Sequence, residues 1–548
     1  MASSTRRTAP DHEQTGWPEG VGYIVGNEGC ERFSFYGMKS ILQVHLTALF
    51  VLGAATQNMA ETHAQELVHL FIAGVYAFPM IGALIADRLW GKYNTILWLS
   101  LVYCAGHGVL AMADDTLPGM YVGLTLIAIG SGGIKPCVSA NVGDQFGKGN
   151  WSLVTKVFQL FYFIINFGSF FATLAIPWMK ANYGASVAFA VPGLLMFIAT
   201  IVFWMGRDKY VHIPARPGGR LGVLDALSSS FLFMGVIGLP LFFTDMLSPI
   251  ALIAAMVASA GVGLALFVAR QRLAADDGFL AVMFEGVRSL LNGEGRKAAA
   301  AAAPPTDEFD LGRHWFFAGA VKRYGQEIAE GPMAVLRIIS VFFLVSVFWA
   351  LFDQHASSWI RQAQRMDLHL DALGMSLDLL PSQIPALNPL MVMLLIPFNN
   401  FVIYPGIQRL GISPTPLRRM SVGMLVAAAA FAIVAIIQAA VDVGLESGDK
   451  VHVLWQIIPY LVMTEAEVLV SITGLEFAYT QAPARMKSTI MGFWLLTVAF
   501  GSKLVVFVTG LPDMGLANFF WVFAALMTGA ALLFILRASF YKGKDYGQ

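Results

Sequence analysis

The chain has 548 residues, 57% of them hydrophobic and 13% charged. Soluble proteins carry about 25% charged residues, so an ordinary soluble domain is excluded, and a formal net charge of +0 at pH 7 offers no electrostatic handle for nucleic acid. The three cysteines, Cys30, Cys104 and Cys137, lie in apolar segments, which argues against a disulfide framework and against a metal site.

In chain order, Met1 to Glu19 is polar, contains Pro10, Pro18 and the pair Arg6-Arg7, and lacks an apolar run. It reads as a short disordered cytoplasmic tail, residues 1–20, and not as a cleavable signal peptide. Apolar runs long enough to cross a hydrocarbon layer of ~30 Å then recur along the chain. The first six lie near 21–50, 65–87, 93–113, 118–140, 153–178 and 184–206. Two follow near 222–245 and 247–270, and six more near 334–360, 386–410, 416–440, 452–480, 486–511 and 518–540. The expected fold class is an all-α membrane protein. An N-terminal six-helix bundle (21–210) and a C-terminal one (334–541) flank an insert at 211–333, and 542–548 forms a C-terminal tail.

Between Leu221 and Ala269 there is no Lys or Arg, and Asp225 and Asp245 are the only acids. This stretch reads as a helical hairpin that leaves and returns to one face. From Asp276 to Glu330 the composition turns polar, and Ala298–Ala303 followed by Pro304-Pro305 is a low-complexity connector. Lys180, Arg361, Arg365 and Lys450 would lie outside, and Arg32, Lys39, Lys135 and Lys503 within the membrane. Most other cations, among them Arg88/Lys92, Arg207/Lys209, Arg418/Arg419, Arg485/Lys487 and Lys542/Lys544, then fall on the inner side. The positive-inside rule puts both termini in the cytoplasm.

The run from Glu28 to Lys39, EGCERFSFYGMK, places four charged residues within a spanning helix. A charge at mid-bilayer costs roughly 2.5–3.5 kcal/mol, so these groups must pair or face water. Glu28, Arg32, Tyr36 and Lys39 fall on one helical stripe, with Glu31 beside it. Such a stripe reads as the lining of an aqueous, ion-handling path. Gly82 to Tyr93, between the second and third helices, would allow close helix contact at Gly82, with Asp87 capping or pairing and Arg88 and Lys92 anchoring the loop.

Six plus six helices and the Gly82–Tyr93 loop resemble the major facilitator superfamily, whose binding sites lie at the midplane between the halves. The first-helix run also resembles the E-x-x-E-R-F-x-Y-Y motif of the proton-coupled oligopeptide transporter (POT) family. Gly132 to Phe146 (GGIKPCVSANVGDQF) is similar to that family's fourth-helix motif, and Phe161 to Ser169 (FYFIINFGS) to its fifth. Phe348 to Gln354 (FWALFDQ) and Ser471 to Phe477 (SITGLEF) resemble helices seven and ten. The matches run in order along nearly the whole chain.

The resemblance implies that Glu28, Glu31 and Arg32 load and release a proton and that Lys135 couples this to the substrate carboxylate. The plain alternative is a static salt-bridge cluster. A carboxylate whose partner can be withdrawn has a movable pKa, which suits the first role. Glu467 would be a counter-charge for a substrate ammonium, on one face with Ser471 and Gly474; otherwise it is an interhelical hydrogen bond. A zwitterionic peptide would then bridge Lys135 and Lys39 on one half and Glu467 on the other. Tyr36, Tyr76, Asn166 and Asn388 would hydrogen-bond the peptide backbone, and Trp349 and Trp494 would line side-chain pockets, unless they are ordinary packing. In the family's animal members a histidine matches His69 and belongs to an outer gate, so the set here would be His69, Lys39 and Asp353. Protonating His69 near neutral pH would then change its pairing with Asp353.

The chain departs from the family pattern at Phe35, where tyrosine is usual, at Lys39, where arginine is usual, at Glu465 and at Lys503. The last two could pair with each other. The resemblance implies proton-driven uptake of di- and tripeptides by alternating access, by a monomer in a bacterial inner membrane, with the proton as coupling ion, no cofactor and no enzymatic activity. The alternatives are a relative specialised for nitrate or an amino-acid conjugate, which Glu467 disfavours for nitrate, and a peptide sensor with little transport. A membrane-embedded hydrolase would need a nucleophile–base pair or metal cluster that the sequence lacks.

Overall fold

The computed structural model describes residues 7–53, 55–244, 246–274, 278–295, 297, 310–372, 375–481, 487–511, 515–541 and 543. Among them are fourteen helices long and apolar enough to cross a membrane. The first six are α1 (Val21–Leu52), α2 (Gln57–Ile85), α3 (Lys92–Met112), α4 (Leu117–Gly143), α5 (Val154–Tyr183) and α6 (Ala185–Met205). The inserted pair is α7 (Gly219–Phe233, prolonged to Phe243 through a π-helical turn) and α8 (Pro249–Leu273). Two shorter helices, α9 (Phe279–Leu291) and α10 (Ala318–Tyr324), precede α11 (Gln326–Phe352). A 3-10 turn and α12 (Ser358–Ala363) then lead into a β-ribbon, β1 (His369–Ala372) and β2 (Met375–Asp378). The rest are α13 (Leu387–Phe398), α14 (Tyr404–Arg409), α15 (Pro416–Ser447), α16 (Ile457–Glu467), α17 (Thr473–Thr480), α18 (Lys487–Thr509) and α19 (Leu516–Ser539). The helices on the two sides of the insert pack mainly among themselves, and the two halves meet through α2 on α18 and α5 on α13.

Local chemistry sets the helix ends. Thr56, Thr116 and Ser248 each accept a hydrogen bond from the backbone N–H three residues on, which satisfies an orphan donor of the first turn. Gly184 alone joins α5 to α6, at φ +88°, a conformation that favours glycine. Gly82 on α2 lies against the Gly132–Gly133 backbone of α4, where an added Cβ would collide with main-chain atoms. Small residues let membrane helices approach this closely.

Two spans begin earlier than the apolar runs indicate. α2 starts at Gln57 and not near 65, and α11 at Gln326 and not near 334. Their first turns are polar because they border the membrane, and hydropathy alone does not register them. The insert is more ordered than its composition suggests. α9 is amphipathic, and Val282 packs with Leu311, Phe317, Ala320 and Ala329 in a small separate core, fastened by Arg323 on Glu285 at 2.6 Å. The helical hairpin is tied to the N-terminal half through Asp225, which pairs with Arg270 at 2.6 Å and Arg88 at 3.4 Å. Arg6, Asp245, the 298–305 connector, Arg485, Lys542 and Lys544 lie outside the described residues.

The antiparallel ribbon β1–β2 is a departure from an all-helical chain. It lies between α12 and α13, and Asp367 beside it exchanges backbone hydrogen bonds with Val451 and Val453. The exposed His369 on β1 holds Asp378 on β2 at 2.7 Å and Asp371 at 3.4 Å. The hydrogen bond to Asp378, then the Asp371 charge, raise its pKa above the ordinary imidazole value. A raised pKa in the folded ribbon stabilises it fully below the unfolded value of about 6.5 and ceases to do so as pH rises through the folded value. Amide protection of 369–378, corrected for intrinsic exchange chemistry, is therefore expected to fall from pH 5.5 to 8.5, and His369→Asn to flatten the dependence. An identical dependence in the variant would exclude His369 as the cause.

Candidate functional site

Glu28, Glu31 and Arg32 of α1 are largely buried and pair within their own helix and with α4. Arg32 Nε lies 2.7 Å from Glu28 and 3.2 Å from Glu31. The other Glu31 oxygen faces Lys135 Nζ at 3.6 Å and accepts from Ser131 Oγ at 3.5 Å. Glu28, Glu31, Arg32 and Lys135 thus form one cluster across α1 and α4. Lys135 is 8% exposed, and its ammonium lies over the rings of Phe35 at 4.3 Å and Tyr76 at 5.3 Å. Phe35 is fully buried, so the aromatic that departs from the family motif forms a bed for Lys135 instead of facing the cleft. Cation–π contact steadies an ammonium without occupying its N–H donors, and Lys135 Nζ has no hydrogen-bond partner among the described residues.

Tyr36 links this cluster to the other half. It lies within electrostatic reach of Arg32 and Glu31 on its own side and of Glu467 and Asp353 across the interface. Tyr36, Tyr76, Asn388, Glu467 and Ser471 are only partly buried although each belongs to a spanning helix. On α13, Asn388 donates to Glu467 at 2.7 Å and to Thr464 at 3.2 Å. Asn166 is 8% exposed and donates to the Tyr162 carbonyl at 2.9 Å. Trp349 and Trp494 meet edge to face at 6.0 Å and are 8% and 4% exposed. Trp494 sits on Gly474, where a Cβ would enter its ring, and against Phe342 at 4.9 Å. It backs the wall of the site more than it lines it. A π-helical turn, Val468–Ile472, interrupts the span Val453–Leu475, so Glu467, Ser471 and Gly474 do not share the continuous α-helical face that regular spacing implies. Such turns add a residue to the helix and re-aim the side chains around it.

Three other expectations need correction. Lys39 is not free for a ligand: it is 4% exposed and pairs with Asp353 at 2.8 Å. His69 bonds Ser357 Oγ at 2.8 Å and not Asp353, which is committed to Lys39. Glu465 is held by Asn399 and not by Lys503.

The sequence reading missed the outermost layer of this closure. Glu61 on α2 binds Arg361 at 2.8 Å and Arg365 at 3.4 Å, and Arg361 also donates to Gln65 at 2.9 Å. Glu61, Gln65 and His69 rise along one face of α2 at steps of four, opposite Asp353, Ser357, Arg361 and Arg365 at the same step. This complementary spacing was the available signal. It was hidden by starting the second helix near 65 and by reading Arg361 and Arg365 as loop residues. The two halves are thereby fastened at the ribbon end. Removing Lys39 leaves Asp353 buried without its cation, a loss of about 3–5 kcal/mol for such pairs. In Lys39→Ala, hydrogen exchange of 353–363 is expected to accelerate at least about tenfold, equivalent to 1.4 kcal/mol. Exchange at the original rate would mean the pair does not fasten the halves.

Two six-helix halves, an inserted helical hairpin and a charged site at their interface define a multi-pass membrane protein of the major facilitator fold. The family model described as POT family matches residues 93–222 and 321–522, and the chain belongs to that family. The chain is 34% identical over 429 residues to Peptide transporter family 1 of Drosophila melanogaster, covering 76% of this chain and 47% of that protein. It is 31% identical to Solute carrier family 15 member 2 of Homo sapiens, over 80% of this chain and 51% of that one. The chain spans about half the length of the curated relatives it matches. Among solved structures, the POT family transporter PepTSo superposes with a TM-score of 0.75 at 38% identity, covering 96% of this chain and 98% of that one.

Proposed function

We propose that this chain is a proton-coupled symporter that imports di- and tripeptides by alternating access. One observation carries the reading: an ammonium, Lys135, on the N-terminal half lies over the Tyr76 ring, and a carboxylate, Glu467, on the C-terminal half lies within electrostatic reach of Tyr36, which in turn neighbours Tyr76. A short peptide is a zwitterion and can satisfy both only when the halves close on it. The relatives named peptide transporters and the similar POT transporter structure support the same reading.

The coupling ion is the proton, taken up in the Glu28–Glu31–Arg32–Lys135 cluster, and no cofactor enters the cycle. A peptide carboxylate that engages Lys135 weakens its hold on Glu31, and a protonated Glu31 frees Lys135 for the peptide. Proton and cargo therefore stabilise the same arrangement. The chain works as a monomer in a bacterial inner membrane with the ribbon end outside and the termini in the cytoplasm. The fastened ribbon end then corresponds to a state closed to the outside. The test is uptake in proteoliposomes under an inward proton gradient. Dialanine and trialanine should accumulate, and free alanine and nitrate should not; peptide uptake indifferent to the gradient would end the reading.

A further inference from the structure

The α16 helix carries two acids, and only one belongs to the central site. Glu465 lies on the other side of the helix, in line with Leu454, Ile458 and Leu461, which are 43%, 43% and 45% exposed. It stands near the middle of the span Val453–Leu475, so its carboxyl group borders the lipid-facing surface at mid-membrane depth. Its hydrogen-bond partner is Asn399, whose Nδ2 lies 3.0 Å and 2.9 Å from the two carboxyl oxygens.

No cation is paired with Glu465 among the described residues. On α15, which packs against α16, Glu446 is exposed near the C-terminal end of its helix, and three charged groups are engaged elsewhere. Arg418 donates to the Ser413 carbonyl, Arg419 lies over the Tyr404 ring at 5.3 Å, and Asp442 accepts from Gln438. On α16 itself, Glu467 is held by Asn388. Lys503 stands on α18, which packs on α2 and α11.

The amide is the second, independent observation. Asn399 is 1% exposed, and its Oδ1 is buried with no hydrogen-bond partner among the described residues. An ionised carboxylate can only accept hydrogen bonds, so it leaves that oxygen unserved. A protonated carboxyl group has one O–H to give. Turned toward Oδ1, it would close a ring of two hydrogen bonds, N–H to C=O and O–H to C=O, that satisfies both groups at once. The pair is thus complete only with one more proton than an ionised Glu465 supplies. Both partners adjoin a π-helical turn, Asn399–Ile403 in one span and Val468–Ile472 in the other.

We propose that Glu465 with Asn399 is a proton-binding site of the C-terminal half, separate from the α1 cluster. Binding there tightens α13 against α16, the same helix pair that holds Glu467 through Asn388. The link to transport rests on the proton-driven reading above; the existence of the site does not.

Difference infrared spectroscopy of the full-length protein in nanodiscs, titrated with acid and base, tests the site without any transport. A carboxylic-acid C=O band that titrates should be present in the wild type and absent in Glu465→Gln. A wild-type spectrum and a Glu465→Gln spectrum with the same titrating bands would overturn the proposal. If Glu465→Gln does not assemble, Asn399→Leu decides. The band should remain and its titration midpoint move by about one pH unit or more, and an unmoved midpoint would overturn the site. In proteoliposomes, the proton-to-peptide ratio from reversal potentials should fall in Glu465→Gln with peptide affinity within twofold. An unchanged ratio would remove the coupling role. Absent uptake by the wild type would count against the transport reading and leave the infrared result standing.

Discussion

Replacing Lys135 with alanine is expected to reduce gradient-driven dialanine uptake by about 100-fold or more. Lys135 offers three N–H donors and has no hydrogen-bond partner among the described residues, resting on Phe35 and Tyr76 with Glu31 at 3.6 Å. On the proposed symport reading, its loss removes the counter-charge for a peptide carboxylate; in any case it removes half of the balance around Glu31. Breaking a buried pair from one side costs about 3–5 kcal/mol, and each 1.4 kcal/mol is a factor of ten. Lys135→Arg should rescue poorly. A planar guanidinium is a different shape from an ammonium seated between two rings, and its bidentate reach for Glu31 would compete with Arg32 and Ser131. The measurement is initial uptake at fixed gradient, with thermal unfolding in detergent to confirm assembly. Uptake within twofold of the wild type in a folded Lys135→Ala would remove Lys135 from the mechanism.

The second large effect is at Glu467. Glu467→Gln keeps the length of the side chain and an oxygen for Asn388 to donate to, so the α13–α16 contact survives. What disappears is the negative charge that a peptide ammonium would meet. Hydrogen bonds to charged groups contribute about 1.5–3 kcal/mol, so dialanine affinity should weaken roughly 10- to 150-fold. An N-acetylated dipeptide, which has no ammonium, should be affected no more than about twofold. Equal losses for both ligands would show that Glu467 shapes the site without recognising the amine.

Much of this architecture was legible in the sequence, for identifiable reasons. Spanning helices must be apolar over their whole membrane depth, so their number and order follow from composition. The pairing of Glu28 with Arg32 follows from a spacing of four on a helix. What eluded the sequence reading depends on contacts between distant segments or on broken periodicity. Ser357 gives no local sign that it receives His69, since the two lie 288 positions apart. The π-helical turns at Asn399–Ile403 and Val468–Ile472 shift side-chain directions that a 3.6-residue repeat predicts. That Asn388 donates to Glu467 is not legible in the sequence, because nothing there sets the depth at which two helices cross. The β-ribbon is too short for a recognisable alternation of apolar and polar residues.

The rungs that join α1 and α2 to the end of α11 and the segment after it differ in their access to water. Arg365, at the mouth, has 33% of its side chain exposed, whereas Lys39 and Asp353 at the bottom have 4% each. Mobile ions screen the former and hardly touch the latter. Added salt should therefore fray the lip of the closure while its floor stays shut, and unfastening would proceed like a zip drawn from the surface. The floor yields only to an event inside the protein, so a brine-rich medium changes how often the lip flickers without opening the way past Lys39 and Asp353.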